Sequence, residues 1–171
     1  MPDRTDSPHG TPGILTAVQI GQAFESDTAG LARLIWLDTH HDEPKEDQLA
    51  EFAADLAQWW ASRRDSHVPY VARADDGSLV GMAWVALVSR VARPGAMDRT
   101  SGDIQTVFVE PANRGSGLGS SLVDAAANHA MALGAVRVTV HSGSKAVPVY
   151  ERLGFQASAR LLQRPPDPPR R

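Results

Sequence analysis

The chain has 171 residues, 42% of them hydrophobic and 22% charged, which suits one soluble-type domain with a real core. A net charge of −3 gives no electrostatic case for nucleic acid or an anionic membrane surface, and no apolar run approaches the roughly 20 residues of a membrane span. With no cysteine, disulfides, thiolate metal ligation and a cysteine nucleophile are excluded together.

Residues 1–13 are polar, carry three prolines and two glycines, and lack an apolar signal-peptide core. They read as a disordered leader, with cytoplasmic location as the default. Ile14 to Ile20 reads as a first strand. Glu25, Ser26, Asp27 and Thr28 supply capping groups for a helix whose apolar stripe is Leu31, Leu34, Ile35 and Leu37. Trp36 lies off that stripe and either faces a pocket or caps the core. His40-His41-Asp42-Glu43 invites a metal reading. Adjacent histidines rarely converge on one ion, so a solvated loop fits better and no metal is expected. Residues 45–64 form a second helix, with Leu49, Phe52, Ala53, Leu56, Trp59 and Trp60 at helical spacing.

Val68 to Ala74 and Leu79 to Val91 form a hairpin about the Asp75-Asp76-Gly77 turn. Val80, Met82, Trp84, Ala86 and Val88 alternate onto one face of its second strand. Residues 92–102 have no periodicity and read as a loop. Ile104 to Val109, opened by Asp103, is rich in β-branched and aromatic residues and forms the central strand. Pro111 stops it, Asn113 and Arg114 turn the chain, and a helix begins near Leu118. That helix buries Leu118, Leu122, Ala125, Ala126 and Leu133 and stops at Gly134. His129 falls close to its buried face as a packing histidine. Val136 to His141 is a further strand, Lys145 to Leu153 a short helix ended by Gly154, and Phe155 to Gln163 a last strand. The tail from Arg164 has four prolines in eight residues and cannot join a sheet interior.

Strand, glycine-rich turn and helix N-terminus together make an anion site. The first-turn amides lack partners, the helix dipole adds positive charge, and Gly115, Gly117 and Gly119 carry no Cβ to hold a bulky phosphate away. A P-loop needs Lys-Ser/Thr after the last glycine, but Gly119 is followed by Ser120 and Ser121. A dinucleotide fingerprint would place a sixth-position glycine where Ser120 stands. Val109-Glu110-Pro111 followed by Arg114, Gly117 and Gly119 instead resembles the pyrophosphate motif of the GNAT acyl-CoA N-acyltransferases. Ala146-Val147-Pro148-Val149-Tyr150-Glu151-Arg152-Leu153-Gly154-Phe155 resembles the signature that closes the same domain. The resemblance covers residues 103–155.

It implies a single α/β (α+β) domain over residues 14–164, followed by the Pro-rich tail 165–171. A mixed sheet of about six strands would be flanked by about four helices, and the parallel pair would splay at its C-terminal end. It further implies transfer of acetyl from acetyl-CoA to a primary amine of a small molecule or peptide, by direct attack in a ternary complex. Val107, Phe108 and Val109 would pair with the pantetheine arm. The pyrophosphate would take N–H groups from Arg114, Gly115, Ser116, Gly117, Leu118, Gly119 and Ser120. Arg114 would either add a charged contact or hold the turn through backbone carbonyls. Tyr150 stands at the general-acid position, with pantetheine packing as its plainer role. For the base, Asp103, His141 and a water chain all stay open. Gly143 stands where many members carry a pantetheine-contacting Asn. Alternative readings are a non-catalytic acyl-CoA sensor and an acetyltransferase acting on a protein N-terminus or lysine. Exposed sheet edges make a homodimer reasonable.

Overall fold

A computed structural model describes residues 18–164. Five strands form one sheet in the order β1-β2-β3-β4-β5, namely Gln19–Gln22, His67–Arg73, Leu79–Arg90, Arg99–Val109 and Ala135–Val140. Helices α1 (Thr28–His40) and α2 (Glu46–Ala61) precede β2. Helix α3 (Leu118–Ala132) joins β4 to β5, and α4 (Val147–Arg152) follows β5. All neighbouring strands are antiparallel except β4 and β5, which run parallel. A parallel pair needs a crossover, and α3 supplies it.

The sheet separates two apolar layers. On one face Leu31, Leu34, Leu56 and Trp60 of α1 and α2 pack against Met82, Trp84 and Phe108. On the other, Leu122, Val123, Ala126 and Ala130 of α3 pack against Ala83, Val85 and Ile104. Helix α3 lies close to the sheet, since a Cβ on Gly102 would sit 2.9 Å from the Ala130 Cβ. At the entry to α1 the carboxylate of Asp27, only 7% exposed, accepts from the Phe24 amide and the Arg73 guanidinium, each at 2.8 Å. Burial alone would raise its pKa, but these hydrogen bonds and the Arg73 charge outweigh it and hold the carboxyl below its usual value.

Several sequence expectations are corrected. The sheet has five described strands because residues 155–163 form no ladder: the Ser158 hydroxyl accepts the Arg160 amide and its carbonyl the Leu161 amide. Serine turn chemistry wins over strand pairing there. The first strand is shifted to Gln19–Gln22, and residues 14–17, the leader and the tail lie outside the described residues. The loop read at 92–102 is shorter, because β4 begins at Arg99, so Asp103 sits in mid-strand rather than opening it. Val80 leaves the face of Met82 and Trp84: a register shift against β2 makes it an extra residue, and it packs on the α3 side. Leu133 is 57% exposed at the end of α3, where Gly134 at φ +81° turns the chain away, and Val123 and Ala130 take the buried positions. The Trp pair divides: Trp60 is 5% exposed and Trp59 39%. His129 packs edge-on against Tyr70 at 5.7 Å. Helix α1 runs through His40, and His41 caps it in the left-handed region.

Candidate functional site

The glycine turn is held from inside while its amides face outward. Past Val109, a short turn over Pro111–Asn113 is closed by the Asn113 amide on the Glu110 carbonyl. Arg114 Nε donates to the Val109 carbonyl at 2.9 Å, and its guanidinium lies 5.7 Å over the Phe108 ring. The Ser116 hydroxyl donates to the Asn113 carbonyl at 2.6 Å. Gly115 and Gly117 stand at φ +78° and +87°, and a Cβ built on either meets nothing within 4 Å. The first amide to bond inside α3 is that of Ser121, on the Gly117 carbonyl, and no side chain caps the helix. The amides from Gly115 to Ser120 therefore have no acceptor among the described residues. Six free donors, a helix dipole and open space above two left-handed glycines suit a phosphate-sized anion.

Beside this turn β4 has an unpaired edge. The β4–β5 ladder ends at Ile104 opposite Val140, although β4 runs on to Val109. Glu110 donates its amide to Val80 on the β3 side. Successive residues of a strand point their polar groups to opposite edges, so Val109 and Val107 turn theirs to the open side. Phe108 turns its backbone to Met82 of β3 and its ring into the core. The Val109 carbonyl is taken by Arg114, which leaves its amide free on the open edge.

A bulge determines what faces the α1–α2 side. Trp84 pairs with Thr106 but Val85 pairs with Ile104, so Gln105 is an extra residue in β4. This puts Asp103, Thr106 and Phe108 on one face. Asp103 is half-buried, and its Oδ1 accepts the Thr139 hydroxyl at 3.0 Å. His141 follows β5 two residues on from Thr139, is exposed, and sits 3.2 Å from Gln163 through Nδ1. Tyr150, half-buried on α4, meets Phe155 edge-on at 5.6 Å. Burial raises its phenol above the usual value and keeps it protonated. Its hydroxyl bonds neither Asp103 nor His141.

Sequence reasoning missed four features. Thr139 stood in plain alternation with His141, but its partner could not be read. Gln105 gave no sign of a bulge. Asp38 of α1 lies within electrostatic reach of Arg114; burial raises its carboxyl against the charges of His41 and Arg114. The indole N–H groups of Trp84 and Trp36 are buried without a hydrogen-bond partner. Trp36 stacks on His40 at 4.3 Å, between α1 and α2.

Glu110 is engaged at 2.6 Å by Arg33, which also pairs with Glu43. A cleft of about 460 Å³ lies there, between the start of α1 and the β2–β3 hairpin, and includes neither the glycine turn nor Tyr150. The described residues hold no cluster of three or more potential metal ligands, and none of their helices is long and apolar enough to cross a membrane.

A family model described as the acetyltransferase (GNAT) family matches residues 28–155. A glucosamine 6-phosphate N-acetyltransferase of Trypanosoma brucei brucei is 34% identical over 87 residues, covering 51% of this chain and 57% of that protein. A mycothiol acetyltransferase of Propionibacterium freudenreichii subsp. shermanii is 29% identical over 119 residues, covering 68% of this chain but 35% of its own length. Among solved structures, a Trypanosoma brucei acetyltransferase is 28% identical and superposes with a TM-score of 0.67, covering 87% of this chain and 99% of that one.

Proposed function

The chain belongs to the GNAT acetyltransferase family, and from that premise we propose that it moves an acetyl group from acetyl-CoA to a primary amine of a small molecule or peptide. The observation that carries the reading is the junction of two unsatisfied surfaces. The free amides of Gly115–Ser120 adjoin a β4 edge that β5 abandons after Ile104. One suits a pyrophosphate and the other an amide-bearing arm that pairs like a strand. Two curated relatives named for small-molecule acetylation support the acceptor class.

Acetyl-CoA, when bound, supplies an activated thioester. The chain's own residues do the rest. The amides of the glycine turn hold the pyrophosphate, and the Arg114 guanidinium, anchored through Nε, keeps its terminal nitrogens for a phosphate oxygen. Val107 and Val109 align the arm. The Val109 amide then polarises the thioester carbonyl as the amine attacks it. Tyr150, held neutral by burial, gives its proton to the departing sulfur. Asp103, its Oδ1 fixed by Thr139, takes the proton released by the amine. His141, on the same face, is the alternative base to Asp103.

Thermal unfolding with acetyl-CoA, against NAD and ATP as controls, tests the reading. Ligand at about 100 times its dissociation constant adds about 2.7 kcal/mol, a rise of roughly 5–10 °C for a domain of this size. A rise with acetyl-CoA alone, followed by CoA release on an amine panel, supports transfer. A rise without turnover on any amine favours an acyl-CoA sensor, and no rise overturns the cradle.

A further inference from the structure

The β3–β4 hairpin carries arginines where a sheet should avoid them. Arg90 of β3 lies directly opposite Arg99 of β4, and like charges directly opposite are destabilising. Arg93 stands in the turn beyond, and both it and Arg90 repel Arg99; burial and these two charges together lower the Arg99 pKa. None of the three forms an ion pair with a carboxylate among the described residues, the neighbouring Asp98 included. Arg99 donates one Nη1 bond to the Val91 carbonyl at 2.9 Å, while Arg90 Nε is buried with no partner. A cross-strand pair that costs stability and leaves a buried donor unsatisfied calls for an anion the protein does not itself provide.

The register fixes where that anion would lie. Ala86–Asp103, Val88–Ser101 and Arg90–Arg99 are successive pairs on one face, the face shared with Thr106 and Trp84. No irregularity interrupts the β3–β4 ladder between them. Val88, midway, is 50% exposed, so the strip between the arginines and Asp103 is open. Arg99 and Asp103 are four residues apart, or about 13 Å along the strand, less the reach of both side chains.

We propose that the Arg90–Arg99 pair binds an oxyanion carried by the acceptor, so that the substrate is an amine bearing a distal phosphate or carboxylate. This rests on the acetyltransferase reading: the amine sits at Asp103 while the anionic end is gripped at the hairpin. A positive clamp on one end also orients the substrate, which a wholly cationic polyamine would not allow.

The test uses the full chain saturated with CoA, whose binding is verified first by its own thermal shift. Failure of that shift would count against the acetyltransferase reading and is distinct from any failure of the anion titration. With the cradle filled, arginine Nε–H resonances are followed by NMR during titration with inorganic phosphate in one arm and glutarate in another, at constant ionic strength. Saturable movement of the Arg90 and Arg99 signals in either arm supports the proposal and identifies the preferred anion. No saturable movement in both arms overturns it. Arg90→Gln and Arg99→Gln should each weaken the preferred anion by about tenfold, the value of one charge-assisted hydrogen bond. Each should also raise the melting temperature of the anion-free protein by relieving repulsion. A lower melting temperature in both variants would mark the cluster as structural and overturn the proposal.

Discussion

Replacing Gly117 separates what the fold needs from what the ligand needs. Gly117 and Gly134 both sit in the left-handed region, at φ +87° and +81°, at opposite ends of α3. A Cβ on either meets nothing within 4 Å, so alanine adds backbone strain and no clash at both positions. That strain costs about 1–2 kcal/mol for an L-residue, partly offset by about 0.4–1 kcal/mol from the stiffer unfolded chain. Both variants should lose about 1 kcal/mol, or roughly 3 °C in melting temperature. Only Gly117 adjoins the free amides of Leu118–Ser120, so only there does a new methyl take open space beside them. Displacing a phosphate oxygen from one such amide forfeits about 2 kcal/mol, close to a thirtyfold weakening of acetyl-CoA. Calorimetric titration of acetyl-CoA into both variants reads this directly. Equal affinities for Gly117→Ala and Gly134→Ala would refute the cradle, because the two share the same strain and differ only in site.

Tyr150→Phe should lower kcat by about a hundredfold or more, the usual contribution of a positioned acid, with acetyl-CoA affinity unchanged. Because burial raises the phenol pKa, any basic limb belonging to Tyr150 should lie above the ordinary phenol range and vanish in the variant; unchanged turnover removes it as the acid. Asp103→Asn should lower kcat/KM by about a hundredfold or more and His141→Ala should leave it near the wild-type value, the reverse identifying His141 as the base. Thr139→Val should lower kcat while sparing KM, since it frees the carboxylate it now holds; a change confined to KM would reassign Thr139 to substrate binding. Asp27 has a depressed pKa in the folded state, so its contribution is present above the unfolded value near 3.8 and is lost as pH falls through the lower, folded value. Asp27→Ala should therefore cost about 2 kcal/mol at neutral pH, discounted for the partly exposed Arg73. It should also flatten the acid end of the stability profile; the same acid-end slope in both proteins would place that titration elsewhere.

The elements legible in the sequence were those whose signal is local. Alternation marked β3 and β5, the 3.6-residue period marked α1, α2 and α3, and glycines at left-handed positions marked the ends of α3 and α4. The glycine turn was legible for the same reason: the free amides that suit it to an anion lie in its own backbone, so the residues that make it are contiguous. Leu133 misled because it continued the apolar period of α3 at a point where the helix was already ending, and periodicity carries no information about where the sheet beneath it stops. Residues 155–163 misled in the opposite way. Their composition tolerates a strand and carries no sign of the turn at Ser158, whose hydroxyl accepts the Arg160 amide and whose carbonyl accepts the Leu161 amide.

The α1–α2 face around Asp103 lay beyond reach because a register shift creates it. The extra residue Gln105 places Thr106, rather than Gln105, beside Asp103 on the α1–α2 face, and it occurs where the β4–β5 ladder gives out. A bulge increases local twist, so the feature that re-aims side chains also helps the parallel pair diverge. Nothing in the string IQTVFV distinguishes this from a regular strand, since register is a property of the hydrogen bonds between two strands. The hairpin arginines were hidden for a related reason. Arg90 and Arg99 are nine residues apart with a loop between them, and their repulsion exists only once β3 and β4 pair. A costly juxtaposition created by the fold, on the face that carries the candidate base, points to the acceptor more directly than any motif in this chain.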